Sequence, residues 1–490
     1  MLPECQRCLS LDLRCPGPRT GVLFVHTVPD RRQQLTTKTK QHISTSQDSA
    51  VAICRDRQAC AHDSLATHLS KLPGPQPSRG GAFDQLFVTH FIESFGVVKP
   101  ASGLRVPTIS WVDDLPSFFT SALPPAVKHS IRAASMISYG TLSRDANIQN
   151  QAHHWYMTAL RDLQRFLSRD GVSVTEGMIC AAVMLIHFET WAGTRPKAWL
   201  FHVKGAAKMI EAMGPASCRE GFMHRLFSHM RLQVFIQSLS ENSLHAFASH
   251  EWMTKPYEIH PGMLFDHVVD LCFYVQRCLV AAQRLVASPG PERNRDLEMM
   301  LRMLIQDAES QSRFWASTYM PGMLAPAGEH GTGEKRDNGT LELVPGKVFR
   351  NFPTAVLLSL YNAANLMNIR LLALVGDDDG SPRSHPQLMP SVGSPKYVER
   401  MRQHAQSILS AMEFINAKPS GPGPNRGTIM MSLQLKVLSL WSPFLDQRSA
   451  AAALLHGEKV QSGGFASMAA ETEDYFADLA RSILRDFPLE

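Results

Sequence analysis

Apolar residues recur with the 3.6-residue period of an α-helix through most of the chain beyond residue 150, and this period constrains the fold more than any other feature. The segment AHHWYMTALRDLQRFLSR places Trp155, Ala159 and Leu163 on one face, with charged residues opposite. Alternating β-branched residues and Asn-Gly turns, which indicate strands and hairpins, are nearly absent. The sequence therefore predicts a mainly α protein with a large all-helical domain, and less than about 10% strand where average domains have roughly 20–25%.

The same period marks further helices along the chain. The segment AWLFHVKGAAKMIEAMGP places Trp199, Val203 and Ile210 on one face and stops at Gly214-Pro215. Similar periodicity predicts helices at about 176–192, 222–240, 264–287, 293–317, 352–375, 395–416, 428–441 and 466–485. Two segments that interrupt the period are predicted loops, 321–346 and 376–394. No motif repeats at a fixed period, so we expect a helical array outside the named repeat families.

The beginning of the chain differs from the helical body in composition. Residues 27–80 are polar, contain few aromatic residues and show no helical period. At the end of this segment KLPGPQPSRGG combines proline and glycine in a run that neither a helix nor a strand would cross. We therefore expect three parts, namely a small N-terminal unit at 1–26, a disordered linker at 27–81 and the helical domain at 82–490.

Three of the nine cysteines lie within the first fifteen residues, with the spacing C-x2-C-x6-C formed by Cys5, Cys8 and Cys15. Disulfides are disfavoured, because the N-terminus has no apolar signal segment and nine cysteines cannot all pair within one chain. Two thiolates separated by two residues can bind one zinc ion, and a third reaches it after a short loop. Arg7 and Arg14 would lower the pKa of the thiols by stabilising thiolate. The spacing therefore favours zinc.

A zinc site needs four ligands, and three cysteines leave one position to fill. His26 is the candidate for that position, whereas Cys54 and Cys60 are too distant to be favoured. The alternative is a frayed N-terminus whose cysteines bind nothing. No apolar run approaches the ~20 residues of a membrane span, so we expect a soluble intracellular protein with no membrane partner.

The positive charge of the chain is concentrated near its N-terminus. Residues 1–80 contain 11 basic residues (Lys and Arg) and 6 acidic residues (Asp and Glu). The remaining residues contain 38 basic and 38 acidic residues. The net charge of +5 therefore belongs to the N-terminal segment. A basic tip on a neutral body is typical of contact with nucleic acid or another acidic surface. A tail that only improves solubility fits the charge equally well.

No motif in the helical body makes a strong case for catalysis. Residues 328–333 have the glycine spacing of a phosphate-binding loop, but Glu334 stands where that loop needs lysine. The pair His187-x-Glu189 matches only the front of a zinc deaminase motif, because no P-C-x-x-C follows. Cys272 and Cys278 lie in an amphipathic helix, where buried structural thiols are the usual case. We therefore expect no enzymatic activity.

The N-terminal segment PECQRCLSLDLRCPGPRTGVLFVH resembles the second half of the fungal zinc binuclear cluster DNA-binding domain, in which six cysteines hold two zinc ions. Several later segments resemble the fungal-specific transcription factor domain that follows such clusters, namely AFDQLFVTHFIESFG, ISWVDDLPSFF, SIRAASMISYGTLS, RPKAWLFHVKGAAKMIEAMGP and YFADLARSILRDFPLE. The resemblance covers about 80–100 and most of 105–490. Each segment is only moderately specific, and the order of the segments behind a cysteine half-cluster and a basic linker is much more so.

This resemblance implies a nuclear, sequence-specific regulator of RNA polymerase II transcription. Such a protein binds zinc and DNA and acts through the transcription machinery or regulatory proteins. The zinc ligands that it implies are Cys5, Cys8 and Cys15. The implied contacts to the DNA backbone are Arg7, Arg14 and Arg19.

The chain departs from that family at its N-terminus. In the family the first half of the cluster carries the helix that reads the major groove. This sequence begins at Met1, after the point where that half would end, so we expect either a truncated sequence or a protein that has lost direct DNA reading. The alternative function is an interaction or effector-binding helical protein that does not read DNA. No sustained heptad follows the cysteines, so a coiled-coil dimer is not predicted.

Overall fold

A computed structural model describes residues 79–95, 111–120, 123–288, 291–326, 347–375, 395–417, 430–456 and 473–484, apart from 170, 172 and 196. All of these residues fall within one of the two units into which the chain divides, Gln76–Glu490. The predicted zinc-cluster remnant at 1–26 lies outside the described residues, as does the predicted linker except for its last three residues.

The described residues are mainly helical. In chain order the helices are α1 (Arg79–Phe95), α2 (Leu115–Thr120), α3 (Pro125–Ser143), α4 (Ala146–Leu167), α5 (Glu176–Ala192), α6 (Ala198–Met213), α7 (Gly221–Glu241), α8 (His250–Thr254), α9 (Leu264–Val286), α10 (Pro291–Met323), α11 (Phe352–Val375), α12 (Pro395–Asn416), α13 (Ser432–Trp441), α14 (Leu445–His456) and α15 (Glu473–Leu484). Short 3-10 turns cover Trp111–Asp114, Pro215–Cys218, Ala246–Ala248 and Lys255–Tyr257.

The predicted fold class is confirmed, because strand is confined to two short segments of the part of the chain that the structure describes. These are β1 (Leu324–Pro326) and β2 (Lys347–Phe349), which pair antiparallel with Leu324 opposite Phe349. The bounds of α5, α11 and α12 coincide with the predicted helices at 176–192, 352–375 and 395–416, and α6 ends before Gly214-Pro215 as predicted. A strong apolar period with few competing turn signals accounts for this agreement.

Helix α4 is predicted correctly, but its buried face is rotated from the predicted one. The predicted face begins at Trp155, which is only partly buried, whereas Tyr156 is buried together with Ala159 and Leu163. Trp155 lies at the rim instead, where the guanidinium carbon of Arg132 is 4.4 Å from the centre of its ring. A tryptophan tolerates a half-buried rim position because its large face also attracts a cation.

The start of the first predicted loop is wrong by six residues. Helix α10 continues through Pro321 to Met323, and β1 follows directly. Proline is costly in a helix interior because it removes a hydrogen bond, but only two residues of α10 follow Pro321. Pairing with β2 then holds the next residues extended. The rest of this loop, 327–346, and the second predicted loop at 376–394 lie outside the described residues.

The turn between α3 and α4 shows how local sequence fixes a helix crossing. Helix α3 ends where Arg144 adopts a left-handed conformation with φ of 55°. The Asp145 side chain then caps α4 by accepting hydrogen bonds from the backbone N–H groups of residues 147 and 148. A Cβ atom added at Gly140 would lie 3.0 Å from Gln149 Cγ and 3.1 Å from Ile148 Cγ2. Glycine at this position therefore allows α3 and α4 to pack closely.

Helices α5 and α11 lie inside the hydrophobic core and are apolar around most of their surface. Among the described residues, one helical segment has the length and composition of a membrane span, Phe352–Ala373 of α11 with mean hydropathy 1.2. Because 89% of its most apolar window is buried inside the protein, we interpret α11 as a core helix.

Helix α1 begins at Arg79, three residues before the predicted start of the helical domain. The sequence predicts that the glycines at positions 80 and 81 belong to a segment that no helix would cross. In the structure they lie in the first turn of α1. Helix ends are less strongly determined by sequence than helix centres, because the first turn has fewer backbone hydrogen bonds to lose.

Candidate functional site

The residues predicted to bind zinc and DNA are not placed by the structure. They lie outside the described residues, namely Cys5, Arg7, Cys8, Arg14, Cys15, Arg19 and His26. Their roles therefore remain predictions. Among the residues that the structure does describe, no group of three or more His, Cys, Asp or Glu side chains is arranged to hold a metal ion. The helical domain instead contains several buried polar clusters, which determine the packing of its helices.

The Arg231 cluster joins α7 to α9 and consists of Arg231, Asp266, Asp270, Tyr257 and Ser228. Arg231 is fully buried, and its Nη2 donates to Asp270 Oδ1 while its Nη1 donates to the Tyr257 hydroxyl at 3.0 Å. Tyr257 and Ser228 both donate to Asp266 Oδ1, each at 2.6 Å. A buried guanidinium is tolerated in a protein only when carboxylates and other acceptors surround it, as they do here.

Arg231 and Asp270 favour each other's ionised forms. Burial alone would lower the pKa of Arg231, but Asp270, Tyr257 and Asp266 raise it above its ordinary value. Burial alone would raise the pKa of Asp270, but the Arg231 charge and a hydrogen bond from His267 lower it. The pair Arg231–Asp270 is therefore a fixed ion pair that stays charged across the physiological pH range.

The Glu189 cluster joins α4, α5 and α6 and consists of Glu189, Tyr156, Thr194 and His202. Glu189 is buried, and its Oε1 accepts from the Tyr156 hydroxyl at 2.5 Å and the Thr194 hydroxyl at 2.7 Å. The Thr194 backbone N–H donates to Glu189 Oε2 at 2.9 Å, and His202 Nε2 lies 3.1 Å from the Tyr156 oxygen. Burial and the hydrogen bond to Glu189 raise the pKa of Tyr156. This carboxylate is bound by donors on the protein itself.

His187 lies two residues before Glu189 but contacts different groups. Its ring stacks on Trp111 at a centroid distance of 5.5 Å and on His229 at 5.4 Å. Burial lowers the pKa of His187 well below its ordinary value and that of His229 to about 4. The pair His187-x-Glu189 is thus a pair of helix residues with separate packing partners, which agrees with the interpretation from sequence.

The Asn365 cluster joins α10, α11 and α12 and contains no charged group. It consists of Ser312, Tyr361, Asn362, Asn365 and His404. Ser312 Oγ donates to Asn365 Oδ1 at 2.6 Å and lies 2.9 Å from the Tyr361 hydroxyl. His404 Nδ1 lies 2.7 Å from Asn362 Oδ1, and burial lowers the pKa of His404 to about 4. The cluster therefore holds its helices through neutral hydrogen bonds.

The described cysteines are all buried and unpaired, namely Cys180, Cys218, Cys272 and Cys278. Burial raises the pKa of every one of these thiols, for Cys218 to about 11 and for Cys278 to about 12. Only the thiolate is a good nucleophile, so these groups act as small apolar side chains. The predicted structural role of Cys272 and Cys278 is confirmed.

An open surface cleft of about 560 Å³ lies near the N-terminal ends of α5 and α7. Its lining residues are Glu176, Ala216, Ser217, Arg219, Glu220, Gly221 and Ile259. Arg219 is already engaged with Glu258 at 3.2 Å, on a surface where both side chains are more than 40% exposed. The cleft therefore offers one exposed ion pair and the carboxylates of Glu176 and Glu220, which do not define a specific small-molecule site.

The comparisons with known proteins coincide with the first part of this helical domain. A family model for the fungal specific transcription factor domain matches residues 83–260. That stretch, a little over a third of the chain, is therefore similar to such a domain. An uncharacterized protein of Emericella nidulans is 25% identical over 175 residues, which is 36% of this chain and 37% of that protein. No solved structure matches this chain.

Sequence reasoning missed most of the polar clusters. Arg231 and Asp270 were not singled out, because a single arginine in an apolar helix also fits an exposed position. One signal was available in the sequence of α7, where Arg231 is flanked on both sides of its helical face by Phe227 and Phe235, which are buried. A charged residue in line with buried aromatic residues indicates a buried partner of opposite charge.

Proposed function

We propose that the chain is a zinc-dependent, DNA-binding regulator of RNA polymerase II transcription that acts in the nucleus. The observation that carries this proposal is the match of residues 83–260 to the fungal specific transcription factor domain. The helical architecture supports it, because the matched residues form α1 to α8 with a continuous apolar core. The helical domain acts as the regulatory part, and the N-terminal cysteine segment acts as part of the DNA-binding unit.

The buried clusters support a scaffold role for the helical domain. In the Arg231 and Glu189 clusters the charged groups are bound by groups of the protein itself, which leaves them fixed in place. A rigid helical body of this kind presents its outer surface to partners in a constant arrangement. The partners that we propose are DNA, through the N-terminal segment, and regulatory proteins or the transcription machinery, through the helical body.

A tethering experiment tests the regulatory role. The full chain is fused to an unrelated DNA-binding module and directed to a reporter promoter in a fungal cell, and reporter transcript is measured. We expect transcription to rise or fall relative to the module alone. The matched control is the same fusion with Val183→Asp, which places a charge in the core at a fully buried position. If the intact fusion and the control give the transcript level of the module alone, the proposal is wrong.

Zinc binding by the N-terminal cysteines is tested on the purified full chain. We propose that Cys5, Cys8 and Cys15 hold a single zinc ion weakly, with His26 or water as the fourth ligand. Metal analysis after dialysis should show at most one zinc per chain, and Cys8→Ser should abolish its binding. Cys54→Ser is the matched control and should change nothing. Two zinc ions that survive dialysis would contradict this proposal.

DNA binding by the chain itself separates the proposal from the interaction protein that does not read DNA. The basic excess is small, so we expect only non-specific binding to duplex DNA, with dissociation constants of roughly 10⁻⁴ to 10⁻⁶ M at physiological salt. Substituting Arg7, Arg14 and Arg19 with Ala should weaken binding to all sequences alike and reduce its salt dependence. No detectable binding at low salt would favour the interaction protein. Selection of one sequence over a random pool by about a thousandfold would show that base reading resides in this chain.

A further inference from the structure

A shallow apolar groove lies between the C-terminal half of α9 and the N-terminal half of α10, beyond the residues matched by the family model. Its volume is about 190 Å³, which is room for one or two large apolar side chains. We call it the methionine groove. Its lining residues are Leu244, Arg277, Val280, Ala281, Arg284, Met300 and Leu304.

The apolar surface extends from the groove across the exposed side of α10. Met299 and Met303 are 60% and 61% exposed, and they lie next to Met300 and Leu304 of the groove. The pairs 299/303 and 300/304 each have i, i+4 spacing, so the four side chains form one apolar strip about one and a half turns long. Leu244 adds a further half-exposed apolar side chain at the other wall. Exposed methionines are adaptable and are frequent on surfaces that bind helices.

The charge of the groove is positive along its α9 side. Arg277 and Arg284 are seven residues apart on α9, which places them on the same face and roughly 10 Å apart along the helix axis. No carboxylate lines the groove. Arg277 is held in place because it donates to the Ala248 carbonyl oxygen and lies 5.0 Å from the ring centre of Tyr274. Arg284 is exposed and forms no ion pair with the residues that the structure describes.

Three carboxylates lie near the strip on the α10 side, outside the groove, and one of them, Glu298, is paired with Arg302 at 2.7 Å. Asp296 and Asp307 are about one turn before and after the strip of methionines, and both are exposed. The positive edge therefore belongs to α9 and the acidic ends belong to α10. This separation of charge fixes the orientation of a bound partner. A partner that carries carboxylates would place them beside α9 and away from the acidic ends of the strip.

We propose that the methionine groove binds an amphipathic helix of a partner protein, with apolar side chains at i, i+3/i+4 and i+7 and carboxylates along one flank. The apolar side chains would enter the groove and cover Met299 and Met303, and carboxylates about two turns apart would pair with Arg277 and Arg284. Burial of this strip, with the arginines at its edge, is the arrangement of an apolar centre with a polar rim. Binding at the groove does not depend on the DNA-binding role proposed above.

The test uses the purified full chain and fluorescein-labelled synthetic helices of about 18 residues, long enough to form a helix when bound. One peptide has Leu at the apolar positions and Glu along one flank, a second has Lys in place of every Glu, and a third has the composition of the first in scrambled order. Fluorescence anisotropy gives the affinities. We expect the Glu peptide to bind about tenfold more tightly than either of the others.

Variants place the binding on the groove. The double variant Met299→Ser/Met303→Ser should lower the affinity for the Glu peptide by about tenfold. Arg284→Glu should remove the preference, so that the Lys peptide binds about as well as the Glu peptide, because the new carboxylate offsets the charge of Arg277. The matched control is Phe314→Ser, which removes an exposed apolar side chain from the same helix beyond the groove and should have no effect. All four positions are exposed, and unchanged thermal unfolding curves verify that each variant is folded.

Three outcomes would overturn the proposal. The Glu peptide and its scrambled form bind equally, or Phe314→Ser weakens binding as much as the methionine variants do. The third such outcome is that sedimentation shows self-association of the chain and that Met299→Ser/Met303→Ser abolishes this association. The groove would then be covered by a second copy of the chain and not by a partner helix.

Discussion

Two buried helix crossings in this molecule use opposite polar chemistry. In the Arg231 cluster, α7 and α9 are joined by a guanidinium with no exposed surface and by two carboxylates. In the Asn365 cluster, α10, α11 and α12 are joined by neutral amide, hydroxyl and imidazole groups. Arg231 lies within the residues matched by the family model, whereas every member of the Asn365 cluster lies beyond them.

The two clusters differ in how much stability is lost when one member of a pair is removed. A buried ion pair contributes little net stability compared with a well-packed apolar pair, but removal of one charge leaves the other uncompensated at low dielectric. A neutral hydrogen bond leaves only an unsatisfied dipole, which costs less. The Arg231 cluster therefore enforces one arrangement of α7 and α9, and the Asn365 cluster tolerates change more readily.

The largest effect is expected from Arg231→Met. The change keeps most of the side-chain volume but leaves Asp266 and Asp270 without their cation, so the free energy of unfolding should fall by about 3–5 kcal/mol. Urea denaturation followed by far-UV circular dichroism measures this loss.

The control for this change removes charges on both sides. Arg231→Met combined with Asp270→Asn should be less destabilised than Arg231→Met alone, because one of the uncompensated carboxylates is gone. If the double variant is as unstable as the sum of the two single variants, the contacts are independent and the contrast between the clusters fails.

The period of apolar residues predicted nearly all of the long helices, because each buries a stripe of its own surface and the stripe is local in sequence. The bounds of α12 could be predicted for this reason, whereas α5 and α11 are apolar around most of their surface and stand out as long apolar segments. The partners of Arg231 could not, because Asp266 and Asp270 belong to another helix and only the tertiary packing brings them close. The methionine groove was missed for a related reason, since exposed and buried methionines give the same periodic pattern in α10.

Acid should weaken the helical domain through three half-buried histidines, of which His404 belongs to the Asn365 cluster and His229 lies on α7 outside the Arg231 cluster. The pKa values of His202, His229 and His404 are each lowered by burial to about 4, against an ordinary value of 6.5. The unfolded chain therefore binds more protons between these two values, so stability is complete above about pH 6.5 and is lost as the pH falls toward 4. Each histidine contributes a slope of up to ~1.4 kcal/mol per pH unit in this window.

Urea denaturation at a series of pH values from 7.5 to 5 measures this slope, and substitutions assign it to single histidines. His229→Phe keeps a ring against His187 and Trp111, and His404→Gln keeps a donor for Asn362. Each variant should be less sensitive to acid than the unaltered protein. A free energy of unfolding that stays constant from pH 7.5 to 5 in the unaltered chain would contradict the burial of these rings as neutral groups.

A smaller loss is expected in the neutral cluster. Ser312→Ala removes the hydroxyl that donates to Asn365 Oδ1 and leaves that oxygen without this donor, so stability should fall by about 1–3 kcal/mol. The matched control on the same helix is Ser317→Ala, whose hydroxyl donates only to the Phe314 carbonyl oxygen at an exposed position. A loss at Ser312 equal to the loss at Arg231 would remove the distinction between the two clusters.

The smallest effect is expected where an ion pair is exposed. Lys204 Nζ lies 3.3 Å from Glu241 Oε1 and joins α6 to α7, but the two side chains are 51% and 43% exposed. Water already solvates both charges and salt screens them, so Lys204→Ala should cost less than ~1 kcal/mol, and the difference should vanish in about 1 M salt. Urea denaturation at low and high salt, with Arg231→Met run in parallel, measures both pairs under the same conditions. A loss at Lys204 as large as that at Arg231 would mean that burial is not what makes the Arg231 cluster sensitive, and the contrast would then have to be explained by charge alone.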